Sequence, residues 1–436
     1  MRILVMEYKD RWHSQAGGAE FYSEAIAKEM TRLGHEVTVF ASESDCPIVD
    51  EIDGVEYVRL GNKFTVFHAA TKFLMRHGDE FDLVLDTVNQ RPFLAHEIVG
   101  DKATALVHHL GLEAWNSEFG FPYNVIGRRI LEPRWMERLR DAPRVAAVSA
   151  STAHALARYG VHCLGIIPPA MPEQKPILNK RFGSNPRVLF IGRLVNNKRP
   201  FDAVRAFRLM KKDFPTLSMD VVGNGYLLER LGKCADLDLR VWGFLPEEEK
   251  ELLIRQADLL FVTSVREGWG MVVAEAGIAG VPAVAYRVPG LRDSIDDRVT
   301  GVLTSETPAA LAAAATEILN DRDYWASLSR AAAVRASSWH WSKAAECLLD
   351  VMMTPPSSES KLLKDTSPFA QPVRSSSLLG DERSDDFGGV RGTSVTVKVL
   401  SAIAEWSYRS YASVALARAQ RHGRNGSTHG VSSLVP

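Results

Sequence analysis

Disulfides, zinc knuckles and membrane spans all lack support in this 436-residue sequence. Its four cysteines, Cys46, Cys163, Cys234 and Cys347, are scattered and form no C-x-x-C pair, so neither a disulfide framework nor a zinc site organises the chain. A reducing, cytoplasmic setting is expected. No window reaches the roughly 18 consecutive apolar residues of a membrane span. The opening "MRILVMEYKD" turns charged too early for a signal-peptide core and reads as a first buried strand. Lys+Arg total 52 against Asp+Glu 53, a formal charge of -1, so no nucleic-acid partner is expected. Also missing are G-x-S-x-G, H-E-x-x-H and G-x-x-x-x-G-K-[ST], which withdraws support from the hydrolases, zinc proteases and P-loop enzymes that carry them. The Asp-x-Asp at Asp236-Leu237-Asp238 reads as a polar loop, and no metal ligands are assigned.

What is present is a rhythm. Short β-branched runs alternate with helical patterns in two successive regions, the signature of parallel sheets covered by helices. Strands are expected at Ile3–Met6, Val37–Ala41, Val55–Arg59, Leu83–Leu85, Ala105–His108 and Val145–Val148, with a helix over "AEFYSEAIAKEMTRLG". The rhythm repeats at Val188–Ile191, Ser218–Val222, Arg240–Gly243, Leu259–Val262, Ala283–Ala285 and Val302–Leu303. The Pro-rich "PPAMPEQKPILNK" between them reads as a linker, giving domains over 1–168 and 169–354. "SWHWSKAAECLLDVMM" is a last helix, after which 355–436 turns rich in Ser, Pro, Asp and Gly and is expected to be disordered. Within that tail, 395–421 has a helical pattern that suits either a membrane surface, a partner, or no partner at all.

Four short motifs fall at expected strand ends. "QAGGAE" opens a helix, so Gly17 and Gly18 would let a ligand approach its positive end, or would simply make a turn. "IGRLVNNKRP" sets Arg193 and Lys198 on one loop, where a planar fork and a point charge could share a diphosphate, and "VVGNGY" adds Gly223 at the next strand end. "REGWGMVVAEA" places Glu267 and Glu275 eight positions apart across a Gly-Trp-Gly turn. Beside a diphosphate held by cations, the remaining polar groups of a sugar nucleotide are hydroxyls, for which carboxylates are efficient acceptors. Ordinary surface turns carry such charges too.

Taken in order, "GGAE", "GRLVNNK", "VVGNG" and the E-x7-E element followed by "GIAGVPAVAYRVPGLRDSI" resemble the retaining glycosyltransferases of family 4 over residues 1 to about 350. The resemblance implies an α/β GT-B fold, two Rossmann-like domains facing across a cleft, with the last helix packing back on the first domain. It also implies hexosyl transfer from a nucleotide-sugar donor to a glycan or lipid-linked acceptor, in polysaccharide, glycolipid or cell-envelope glycan assembly, without a metal cofactor. On this alignment Glu275 binds ribose, and Glu267, with the backbone at Gly268, Trp269, Gly270 and Met271, binds the donor sugar. Arg193 with Lys198 binds the diphosphate, Gly17, Gly18 and Gly223 are further donor contacts, and Gly243 with Phe244 lies beside the base. His108 aligns with the family's cleft histidine, while Asp86, Asn89 and His109 are candidate acceptor contacts. The chain departs from the family in "IIPPAMP", where relatives often carry Asn-Gly, and in its tail. The basic segment "GRRILEPRWMERLR" suits either solvent or the inner face of an anionic membrane, so peripheral attachment is one expectation. An epimerase or hydrolase of related fold, or a catalytically silent partner subunit, are the alternative readings.

Overall fold

The computed structural model describes residues 1–13, 16–44 and 46–356. The tail beyond, including 395–421, lies outside the described residues.

The first sheet has eight strands: β1 Arg2–Met6, β2 Glu36–Ala41, β3 Val49–Ile52, β4 Val55–Arg59, β5 Leu83–Asn89, β6 Ala103–His109, β7 Val145–Ala147 and β8 Gly165–Ile166. Their order is β3-β4-β2-β1-β5-β6-β7-β8. All neighbours run parallel except β3, which returns antiparallel on β4 through Asp53-Gly54. Both turn residues have positive φ, 54° and 77°, the backbone of a two-residue hairpin loop. Central strands such as β1 and β5 are buried on both faces, so they read as continuous apolar runs.

The second sheet contains β9 Arg187–Ile191, β10 Ser218–Val222, β11 Leu239–Gly243, β12 Leu259–Val262, β13 Ala283–Tyr286 and β14 Gly301–Thr304. The order is β11-β10-β9-β12-β13-β14, all parallel. Each sheet therefore reverses its winding once, between β1 and β5 and between β9 and β12. Parallel sheets bind ligands outside the carboxyl ends of strands at such reversals. The four motifs lie on these two edges.

The helix Gly18–Arg32 buries Tyr22, Ile26, Ala27 and Met30 against the first sheet, a spacing that keeps one apolar stripe inward. The last helix, Trp341–Met353, joins that same core through Trp341, Ala344, Leu348 and Met352 instead of covering its own domain. Its approach runs beside the outgoing linker, where the Trp339 indole donates to the Pro168 carbonyl at 3.0 Å. The two crossings between the domains are thus side by side.

Candidate functional site

On the second domain, two strand-end loops are locked into each other. Gly223 has φ +140° and a Cβ there would stand 1.9 Å from the Gly192 carbonyl oxygen, so only glycine fits. The Leu194 amide donates to the Asn224 carbonyl at 2.7 Å, tying "GRLVNNK" to "VVGNG". The loop closes in a short turn, Asn196–Lys198, whose far side is held by the Thr263 hydroxyl donating to the Lys198 and Arg199 carbonyls.

This turn delivers the Lys198 ammonium to within 2.5 Å of Glu267 Oε1, which also accepts from the Ser264 hydroxyl at 2.5 Å. Arg193 is exposed and makes no ion pair with another described residue. Glu275 lies in the helix Met271–Ile278, opened by Gly270 at φ +95°, and pairs with Lys250 at 3.0 Å. Lys250 carried no signal in the sequence, because it stands in a segment of its own and meets its carboxylate only through the fold, whereas Ser264 lies three residues before Glu267 on the same loop and was missed. Trp269 is 5% exposed and its ring packs among Met171, Ala274, Ile278 and Ala336, which leaves only its backbone for the donor contact expected of this turn. Phe244, beside Gly243 at the end of β11, is 77% exposed.

On the first domain, the Glu20 carboxylate reaches back to accept the Gly17 N–H at 2.7 Å and so fixes the glycine loop. Beneath it, at the end of β1, lies the buried Glu7, held by Ser23, Thr87 and the Tyr8 amide. His108 and His109 end β6. The His108 ring is buried edge-on against Tyr22, and its Nε2 finds no hydrogen-bond partner among the described residues. His109 faces the other way, with Gln90 Nε2 at 3.5 Å, and feels Lys198, Arg193 and Arg266 from the second domain. Burial, aided by those cations at His109 and by His109 at His108, pushes both imidazoles down to about 3, so both are neutral near pH 7.

Asn89 is half-buried at the tip of β5. Asp86 requires a correction: it is 2% exposed, and its two oxygens accept the Phe93 and Ala95 amides at 3.1 and 3.2 Å. It therefore shapes the loop after β5 and cannot face an acceptor. That loop contains two strained non-glycine residues, Gln90 at φ 74° and Leu94 at φ 60°. Beside it a cavity of about 220 Å³ is lined by Phe67, His68, Arg91 and Trp135 among others.

The two domains meet directly. A Cβ on Gly268 would stand 2.6 Å from the His108 carbonyl oxygen, and one on Gly18 would stand 3.2 Å from Met271 Sδ. The Ser151 amide donates to Asp293 at 3.0 Å. The structure thus brings Gly17, Gly18, His108 and His109 together with Lys198, Glu267, Gly268 and Met271, and leaves Phe244 outside this contact.

Residues 16–175 match the family description "Glycosyltransferase Family 4", and residues 173–335 match "Glycosyl transferases group 1". The chain is 30% identical over 177 residues to the D-inositol 3-phosphate glycosyltransferase of Corynebacterium kroppenstedtii, covering 38% of this chain and 39% of that relative. It thus spans about two fifths of that relative's length. To the protein of the same name from Nocardia farcinica it is 27% identical over 384 residues, 77% of this chain and 84% of the relative. The fold of Anabaena HepE, solved with UDP-glucose, superposes with a TM-score of 0.62 at 17% identity, covering 81% of this chain and 99% of HepE. With its two family matches meeting in the linker and its motifs gathered where two GT-B sheets face each other, this chain belongs to the family-4 glycosyltransferases.

Proposed function

We propose that the chain transfers a hexosyl group from a sugar nucleotide on its second domain to an acceptor on its first, with retained anomeric configuration and without a metal ion. The observation that carries this reading is the Lys198–Glu267 contact at 2.5 Å, set opposite two neutral histidines. A phosphate-seeking cation and a hydroxyl-seeking carboxylate share one point, which suits the junction between a diphosphate and its sugar. As the bond from the anomeric carbon to the diphosphate breaks, charge accumulates on the leaving oxygen. Lys198 and the exposed Arg193 stand where they can receive it, the work a metal would otherwise do. A neutral imidazole offers the sugar a hydrogen bond, not an acidic proton. Glu275 takes the ribose hydroxyls.

For the acceptor, the aromatic and cationic cavity lined by Phe67, Arg91 and Trp135 supports a ring bearing an anionic group, such as a phosphorylated polyol or a lipid-linked glycan. The Arg91 guanidinium stands 3.7 Å from the Phe67 ring centre there. HepE was solved with UDP-glucose and the curated relatives are named for inositol 3-phosphate, so UDP-sugars and phosphorylated cyclitols head the substrate panel. Work in cell-envelope glycan assembly would place the enzyme at the inner membrane face. Phe121, 84% exposed, Tyr123, 69% exposed, and the exposed Arg129 and Arg134 that follow support peripheral contact there.

The deciding experiment incubates the full chain with sugar nucleotides and acceptors, with and without a chelator, and assigns the product's anomeric configuration by NMR. Hydrolysis without transfer, inversion, or activity lost to the chelator and restored by metal would each overturn a part of this reading. Co-sedimentation with anionic and with zwitterionic vesicles tests the surface: Phe121→Ser with Tyr123→Ser should reduce binding to the anionic ones.

A further inference from the structure

Between β6 and β7 the first domain carries the short helix Leu112–Glu118, which none of the family motifs includes. Its start is fastened to its own domain. The buried Glu132 carboxylate accepts the Leu112 amide at 2.9 Å and the Trp115 indole N–H at 2.7 Å. The Trp115 ring lies so close over Gly111 and Gly127 that a Cβ on either would stand 2.4 or 2.2 Å from it. The helix is therefore a rigid projection of the first domain.

Its two outward carboxylates reach the second domain. Glu113 accepts from Arg266 Nε at 2.8 Å, one residue before Glu267. Glu118 Oε1 accepts the Asn197 amide at 2.6 Å, and its Oε2 accepts the Tyr226 hydroxyl at 3.0 Å. That hydroxyl in turn accepts the Asn196 amide at 2.8 Å. One carboxylate and one phenol thus satisfy the two leading amides of the turn that carries Lys198. The first domain grips the donor loop by its backbone, while the Lys198 side chain stays on Glu267.

We propose that Glu118 and Tyr226 are positioning residues that set the register of the first domain over the bound donor, and so the placement of His108 and His109 relative to Lys198 and Glu267. This rests on the glycosyl-transfer reading above. Because Lys198 is held independently by Glu267 and by the Thr263–carbonyl bonds, releasing the grip leaves the diphosphate site intact and loosens only its alignment with the other domain. The loss falls on kcat, not on nucleotide binding.

The test uses full-length Glu118→Ala, Glu118→Gln, Tyr226→Phe and the Glu118→Ala/Tyr226→Phe pair. Glu118 is half-buried and Tyr226 is 58% exposed, so folding is not at stake. Hydrogen exchange followed by mass spectrometry should show faster exchange in the peptide spanning 193–199 for Glu118→Ala, with β9 unchanged. With the sugar nucleotide found in the substrate panel, kcat should fall about tenfold for Glu118→Ala, as expected for loss of a charge-assisted hydrogen bond. KM for the donor, and Kd for its nucleoside diphosphate, should stay within about twofold. Glu118→Gln, which keeps one acceptor, should recover part of the rate, and the double variant should be no slower than Glu118→Ala, because both groups serve one network. Unchanged exchange, unchanged kcat, or additive losses would overturn the proposal. So would tighter nucleotide binding in Glu118→Ala, which would make Glu118 a competitor of the diphosphate. Failure of the wild type to turn over any donor would sink the glycosyl-transfer reading instead, and the exchange result would still decide the contact.

Discussion

Replacing Gly268 by alanine asks how closely the two domains must meet. The residue has no positive φ, so alanine suits its backbone, and the only obstacle is in the other domain. A Cβ would stand 2.6 Å from the His108 carbonyl oxygen and 3.3 Å from its carbon, with the Val148 side chain at 3.6 Å. An ordinary carbon–oxygen contact is wider by roughly half an ångström, and a carbonyl at the end of a central strand has little freedom to yield. Over-packing of this kind costs about 1 to 3 kcal/mol. Here the cost is met by moving the domains apart, so it falls on the state in which both domains engage the donor. Turnover should drop by about 5- to 150-fold in kcat/KM. Nucleoside diphosphate binding, which needs only the second domain, should change less than about twofold by calorimetry. Wild-type turnover in Gly268→Ala would falsify the reasoning, and equal losses of turnover and nucleotide affinity would mean that the methyl group distorts the E-x7-E loop itself.

The two glutamates of that loop should differ. Glu275→Gln weakens nucleoside diphosphate and intact donor alike, by about tenfold or more, whereas Glu267→Gln penalises the intact donor alone, as calorimetry with both ligands would reveal. Glu7 is pushed up to about 8 by burial and by the charge of Glu20, against an ordinary 4.5. The folded state then holds a proton that the unfolded chain releases between those values, so stability declines as pH rises from 4.5 through 8. Glu7→Gln should flatten that decline in denaturant titrations, and an unchanged slope would exclude Glu7 as its source. Asp86→Asn leaves one of two buried amides without a carboxylate acceptor. It should destabilise the first domain by about 1 to 3 kcal/mol in urea, and full stability would mean that the loop after β5 does not depend on it.

Much of this protein was legible as a sequence because its strands are short, β-branched and buried on both faces, so each announces itself locally. The hairpin β3–β4 escaped that reading, since its edge strand is polar, although Asp53-Gly54 was the available signal. The motif glycines were legible too: Gly223 is required by a close backbone approach that no other residue permits. Pairings were not. Lys250 beside Glu275 and Glu118 on the Asn197 amide join segments 25 and 79 residues apart. Only a folded chain sets such distances. The same holds for Asp86, whose residue type suits a binding site but whose burial makes it a backbone acceptor. Sequence by itself determined which groups reach the carboxyl edges of the two sheets, because strand positions and the loops that follow them are read from local pattern. Tertiary structure decided which of them face the cleft, because burial and interdomain contact depend on how two separately folded sheets are brought together.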